Sequence, residues 1–288
     1  MQKINKAFVK KHFPARPADS YKNLNGRVLI VAGSADMPGA AVLCARACFA
    51  AGAGLVTLAA PHAVYNAAVN AVPQAIILKM PQSARAAMAK IIARNKSVPH
   101  DLMLIGPGLD ESWAVMTSYL LDKTKLPAVI DASSLNALAA AGADKLAKDI
   151  PHILTPHKGE MRRLLGGPAN AASAAELAQT TGAVCLLKGP GTIVSGAGIT
   201  MRNTTGNSGL AKAGSGDILS GIIAGVWGQL IHVEDSRRLQ QKAFDAAAAG
   251  VWLHGVAADA AVKKISKNSL AAEDILAALP SAMRQITG

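Results

Sequence analysis

A doubly wound α/β domain, with a central, mostly parallel sheet flanked by helices on both faces, is the fold class this sequence predicts. Three observations carry it. Short apolar runs closed by turn residues alternate with helical stretches as far as Arg202. The first such run, Arg27–Gly33, opens a strand–helix–strand unit, which requires a parallel crossover. After Gly216 the chain reads as helical almost to its end, which supplies layers to cover a sheet.

Taken in order, Arg27-Val28-Leu29-Ile30-Val31-Ala32-Gly33 is a buried strand. The turn Ser34-Ala35-Asp36-Met37-Pro38-Gly39 follows, with Ser34 and Asp36 as caps and Pro38 near the first helical position. A helix from about Ala40 to Ala51 stops at Gly52-Ala53-Gly54, and Leu55–Ala59 resumes a strand. Further strands are predicted at Ala75–Leu78, Leu102–Ile105, Ala128–Ile130, His152–Leu154, Ala183–Leu187, Thr192–Val194 and Ile199–Arg202. Helices are predicted around 62–71, 83–94, 111–122, 134–140, 158–165 and 171–181, then near 217–229, 236–260 and 272–285. With no internal repeat and no long linker, residues 1–288 read as one domain, with residues 1–20 as a peripheral N-terminal segment.

At 288 residues and 51% hydrophobic, the chain can bury a full core. No apolar stretch reaches the roughly 18 residues of a membrane span, and no apolar segment follows the basic N-terminus as in a signal peptide. The expectation is a soluble, cytoplasmic protein. Cys44, Cys48 and Cys185 form no Cys-x-x-Cys pair, and the spacing of the first two places them on one buried helical face. Thirty Lys+Arg against 18 Asp+Glu give a net charge of +12. The basic residues are scattered and lack interleaved aromatics, so the charge fits polyphosphate substrates or a plain basic surface at least as well as nucleic acid.

The most informative stretch runs from Asn203 to Asp217 and ends in Gly214-Ser215-Gly216-Asp217. Behind it, Ile218, Ile222 and Val226 form one i, i+4 row and Leu219, Ile223 and Trp227 the next, so the glycines enter a helix and Asp217 lies in its first turn. Free amides and the positive end of the dipole make such a turn an anion site. A carboxylate beside bound phosphate is placed to take a proton from a hydroxyl, although a simple capping role fits the four residues equally well.

Ligands of doubly wound sheets gather at the carboxyl ends of the strands, which selects further loops. Gly33–Ala41 opens a helix with small residues, and Gly106-Pro107-Gly108-Leu109 is a tight turn or a close-approach site. Asp131 ends a strand as a site residue or a cap. His157 and Glu160 in Thr155-Pro156-His157-Lys158-Gly159-Glu160 bind substrate or metal, or are merely solvated. Lys188-Gly189-Pro190-Gly191-Thr192 is a hairpin whose amides and lysine could cradle a nucleotide phosphate, or a bare turn.

Together, and in this order, these segments resemble the ADP/ATP-dependent NAD(P)H-hydrate dehydratase family of the ribokinase-like superfamily. The matching residues are Ala32-Gly33-Ser34…Pro38-Gly39-Ala40-Ala41, Gly106-Pro107-Gly108-Leu109, Thr155-Pro156-His157-x-Gly159-Glu160, Lys188-Gly189-x-x-Thr192 and Asn203-x-Thr205-Gly206-Asn207…Gly214-Ser215-Gly216-Asp217. The match covers about residues 20 to 285. Ser133-Ser134 departs from the second acidic residue usual after Asp131, Lys158 replaces a common proline, and Ala213 a common glycine.

The resemblance implies restoration of the S epimers of NADHX and NADPHX to NADH and NADPH, by phosphorylation of the hydrate hydroxyl and elimination of phosphate. Asp217 would be the general base. The amides of Gly214, Ser215 and Gly216 would form the anion hole. Lys188, Gly189, Pro190, Gly191, Thr192 and Gly216 would hold the adenine nucleotide, and Ala40, Gly108, His157 and Asp217 the hydrate. ADP is the expected donor, as generally in bacterial members, with ATP as the alternative. Mg²⁺ would be carried by phosphate oxygens and water, with no direct protein ligand. The resemblance further implies a stand-alone dehydratase, homotetrameric, working with a separate epimerase and without nucleic acid or membrane. Two other readings remain: a ribokinase-like kinase of a vitamin-precursor alcohol, and a non-catalytic nucleotide- or nucleic-acid-binding protein.

Overall fold

The computed structural model describes residues 1–287. Its ten strands are β1 (Gln2–Ile4), β2 (Arg27–Val31), β3 (Leu55–Ala60), β4 (Ile76–Lys79), β5 (Leu102–Ile105), β6 (Ala128–Ile130), β7 (His152–Leu154), β8 (Val184–Leu187), β9 (Ile193–Gly196) and β10 (Ile199–Asn203). The helices are α1 (Lys6–His12), α2 (Pro38–Ala50), α3 (Tyr65–Ala71), α4 (Ala84–Ser97), α5 (Glu111–Ala114) and α6 (Thr117–Thr124), then α7 (Ser133–Ala141), α8 (Lys158–Leu165), α9 (Ala171–Thr181), α10 (Ser215–Ile231), α11 (Leu239–Ala261) and α12 (Ala272–Thr287).

The strands form one sheet in the order β1-β10-β9-β8-β7-β6-β5-β2-β3-β4. Every pairing is parallel except those of β9, which runs against both β8 and β10. Alternate side chains of β2 feed opposite cores. Val28 and Ile30 pack with α2, α10, α11 and α12, whereas Leu29 and Val31 pack with α4, α6, α7 and α9. This is the expected mostly parallel sheet with helices on both faces. Residues 1–20, expected to be peripheral, contribute the edge strand β1 and the helix α1, with Ile4 and Val9 fully buried. Three residues are too short a strand to show a period, so its pairing with Met201–Asn203 is legible only in three dimensions.

The chain reverses direction between β2 and β5, which are neighbours in the sheet although β3 and β4 intervene in sequence. The loops after them are tied together there, the Gly33 amide donating to the Pro107 carbonyl (2.8 Å). Such a switch point leaves a crevice at the carboxyl edge.

Helix α10 starts at that edge, beside Asp131 and Lys188. Both predicted rows are buried: Ile218, Ile222 and Val226, then Leu219, Ile223 and Trp227. Its remaining faces are closed by two glycines. A Cβ at Gly221 would lie 2.5 Å from the Cys44 carbonyl oxygen of α2, and one at Gly225 would clash with that of Cys48. Cys44 and Cys48 do share one buried face, the one that meets α10. We expect Gly221→Ala to destabilise the fold by about 1–3 kcal/mol, the usual range for overpacking. Gly167→Ala, whose Cβ would meet nothing within 4 Å, should leave the urea midpoint close to wild type. Equal midpoints for both variants would show that this crossing is not tight.

Candidate active site

The carboxyl edge of the sheet brings Asp131, His157, Lys188 and the start of α10 together. Asp131 follows β6, Lys188 follows β8, and a parallel bridge between His157 and Lys188 extends the sheet beyond β7 and β8. Lys188 Nζ donates to Asp131 Oδ1 (2.7 Å), and Ser220 Oγ of α10 donates to Asp131 Oδ2 (2.6 Å). Measured from the position a Cβ would take on Gly216, Lys188 Nζ is 3.7 Å away and Asp131 Oδ2 4.0 Å. The lysine expected to hold nucleotide therefore adjoins the helix start expected to hold phosphate.

Helix α10 begins because Gly214 turns the chain through φ 83°, a left-handed conformation that glycine adopts without strain. No side chain caps this end. The Ser215 amide makes a long contact to the Lys212 carbonyl (3.4 Å), and the first-turn amides of a helix have no partner within the helix. Asp217 stands in this first turn. Burial first, and then the negative charge of Asp131, push its carboxyl up to about 6 against the opposing charge of Lys188. Burial acts the same way on Asp131, but the Lys188 charge and the bonds from Lys188 and Ser220 outweigh it and hold that carboxyl below the usual range. Two neighbouring carboxylates are thus driven apart, a pattern typical of acid–base sites.

The expected hydrate-binding residues fall into two groups. Ala40 and Gly108 touch: a Cβ on Gly108 would lie 2.7 Å from that of Ala40. One helical turn beyond Ala40, the Cys44 thiol donates to the Asp217 backbone carbonyl at 3.4 Å, so this corner lies beside the first turn of α10. His157 caps α8 instead of pointing free. Its Nδ1 accepts from the Gly159 and Glu160 amides (2.9 and 3.2 Å), while Glu160 Oε2 accepts from the His157 amide (2.7 Å). With Nδ1 accepting, the neutral ring carries its proton on Nε2, and about half of the side chain stays exposed.

The hairpin Lys188–Thr192 joins β8 to β9 as expected, closed by Thr192 Oγ1 donating to the Gly189 carbonyl (3.0 Å). The two glycines of Gly106-Pro107-Gly108 serve close approaches within the protein. A side chain at Gly106 would clash with the Asp131 carbonyl, and Gly108 makes room for Ala40.

Three contributors escaped the sequence reading. Arg202 lays its guanidinium against Gly191 of the hairpin. His254 of α11 sits buried 3.3 Å from Ser215 Oγ, and burial lowers it to about 4, so it is neutral. Asp259 accepts from the Gly206 amide (2.8 Å) and Asn207 Nδ2 (2.9 Å), bolting the run before Gly214 onto α11. Each comes from a part of the chain with no motif, so only an unexplained polar residue in an apolar helix signalled the last two.

Residues 28–281 match the model of the NAD(P)H-hydrate dehydratase family. The chain belongs to that family. As a family member it is 36% identical over 259 residues to the ADP-dependent (S)-NAD(P)H-hydrate dehydratase of Neisseria meningitidis, covering 86% of this chain and 81% of that one. It is similar in structure to the ADP/ATP-dependent NAD(P)H-hydrate dehydratase of Bacillus subtilis, co-crystallised with ATP/Mg²⁺, at a TM-score of 0.83 and 30% identity, covering 99% and 98% of the two chains. A ribokinase-like superfamily protein of Enterococcus faecalis gives a TM-score of 0.83 at 26% identity, over 99% and 96% of the chains, and establishes the ribokinase-like fold. The chain spans about half the length of the bifunctional NAD(P)H-hydrate repair enzymes it also matches.

The raised Asp217 carboxyl of this dehydratase-family chain has a stability consequence. Between its ordinary value of 3.8 and its folded value of about 6, the folded state binds the extra proton. Stability therefore falls as pH rises through that window, and the cost is full above it. Asp217→Asn removes this cost and should stabilise the protein by about 3 kcal/mol at pH 8, with no gain at pH 3.5. Urea unfolding at both values checks this; a gain independent of pH would contradict the raised value.

Proposed function

We propose that this protein dehydrates the S epimers of NADHX and NADPHX to NADH and NADPH, with ADP as the favoured phosphoryl donor. The observation that carries this reading is the Asp217 carboxyl, raised to about 6, beside Lys188 at an uncapped helix start. At neutral pH Asp217 is mostly ionised and can accept a proton, whereas a site built only to bind phosphate gains nothing from an anion there.

The steps follow from that placement. Asp217 takes the hydrate's hydroxyl proton as the oxygen attacks the terminal phosphorus. The bond to the leaving nucleotide breaks, and AMP departs with its electron pair. The carbon–oxygen bond of the phosphorylated hydrate then breaks, phosphate leaves, and loss of a proton from the adjacent carbon restores the double bond. The sum is hydrate and ADP giving NAD(P)H, AMP, phosphate and a proton. Lys188 and the amides at the start of α10 meet the charge of the transferred group. The hairpin Gly189–Thr192 and Gly216 hold the nucleotide. Ala40, Gly108 and His157 line the hydrate side.

Magnesium fits this site as a passenger on the nucleotide. Asp131 is committed to Lys188 and Ser220, and Glu160 to the His157 amide, which leaves phosphate oxygens and water as ligands. When bound, the ion neutralises phosphate charge. By the same family resemblance we assign a single dehydratase domain, a homotetramer, a cytoplasmic location and cooperation with a separate epimerase. None of the helices among the described residues is long and apolar enough to cross a membrane.

Recovery of 340 nm absorbance from NADHX, with ADP and ATP in parallel, tests the reaction. An unchanged hydrate alongside phosphorylation of an alcohol would transfer the site to a small-molecule kinase. Asp217→Asn should lose at least about two orders of magnitude in kcat while still binding ADP. In wild type, kcat/KM should fall below a midpoint near pH 6, the folded value of that carboxyl. His157→Ala should raise KM for hydrate more than for nucleotide, with about 1 kcal/mol lost in stability from the missing cap of α8. A larger rise for nucleotide would move His157 out of the hydrate pocket.

A further inference from the structure

Asp131 carries more structure than a strand-end cap requires. Its side chain is buried, with Oδ1 accepting from Lys188 Nζ (2.7 Å) and from the Ala132 amide (2.8 Å) and Oδ2 from Ser220 Oγ (2.6 Å). Ala132 pays for that amide contact with a backbone at φ 49°, ψ −122°, a region an alanine rarely occupies. Gly106 lacks the Cβ that would strike the Asp131 carbonyl. A buried, fully hydrogen-bonded carboxylate on a strained backbone is held in one place.

That place lies against the base. Ser220 follows Asp217 by three residues on α10, so the two share a helical face, and Ser220 touches Asp131. The Gly216 Cβ position lies within 4.0 Å of Asp131 Oδ2. Lys188 faces the same point from β8. The other titratable groups at this helix start are the Cys44 thiol from α2, 3.4 Å from the Asp217 backbone carbonyl and kept neutral because burial pushes it well up, and His254 from α11, 3.3 Å from Ser215 Oγ and neutral with a value of about 4. Glu160 of α8 acts at longer range, through its charge on Lys188 and Asp131.

We propose that Asp131 is a positioning residue for the dehydratase reaction: a permanently charged carboxylate that anchors Lys188 and, through its field, makes Asp217 a stronger base. This rests on the reaction assigned above. Asp131 touches no reacting atom; it acts through Lys188 and Asp217. Paired with Lys188, it stays ionised while Asp217 gains and loses its proton, so the two carboxylates never share one role.

The test needs no turnover. The Asp217 carboxyl is titrated by ¹³C NMR in wild type and in Asp131→Asn, with Asp217→Asn assigning the signal. The midpoint should fall by about one pH unit in Asp131→Asn, because a like charge has been removed and Lys188 left unopposed. The acid limb of its pH–kcat profile should move down by the same amount, a change that loosened packing alone would not produce. Should Asp131→Asn lose the native circular dichroism spectrum, Asp131→Ser, which removes the same charge and leaves Lys188 in place, makes the same comparison, with the midpoint again lower than in wild type. Equal midpoints in folded proteins overturn the role of Asp131. A shifted midpoint in a protein that leaves NADHX untouched supports that role and overturns only the assigned reaction.

Discussion

Helix α10 can lie where it does only because Gly221 and Gly225 carry no side chains, and the site follows from that crossing. Each glycine weakens the helix by about 1 kcal/mol relative to alanine. The close contact with the Cys44 and Cys48 carbonyls lets Ile218, Ile222 and Ile223 bury completely, each contributing about 1.5–3 kcal/mol. Burial wins, so the helix is locked laterally against α2. Its 17 residues make a rod of about 25 Å whose positive end meets the carboxyl ends of the strands. Asp217 sits one turn ahead of Gly221, so the packing that fixes the glycine also aims the carboxyl.

Electrostatics at that end is arranged by burial and pairing together. Asp131 is more buried than Asp217, yet it is the one kept ionised, because Lys188 and Ser220 satisfy it. Asp217 has the dipole and a more distant lysine, and retains a raised value. Desolvation alone would have lifted both. The direct ion pair decides which carboxylate is held charged and which keeps a raised value.

Much of the fold was legible along the chain. Strands such as Leu102–Ile105 and Ala128–Ile130 stand out because both faces of a parallel sheet are apolar, and a helix such as Pro38–Ala50 because a proline opens it and Gly52 follows its end. The β1 strand was not legible, since Gln2-Lys3-Ile4 has neither length nor period. Gly106-Pro107-Gly108 read as a plain turn or a close approach to ligand, whereas the approaches it makes are to the Asp131 carbonyl and Ala40, which come from other segments. His157 was illegible as a helix cap, because histidine is not among the usual capping residues.

The sequence by itself determined the fold class, the glycine-led helix start and the presence of a carboxylate in its first turn. These depend on period, turn chemistry and spacing, all local properties of the chain. Only the tertiary structure decided that Lys188 is held by Asp131, 57 residues away, that Ser220 completes the contact, and that His254 stands behind Ser215. Charges act through space. A carboxylate's proton affinity depends on neighbours and burial, and neither exists until the strand ends and α10 have come together.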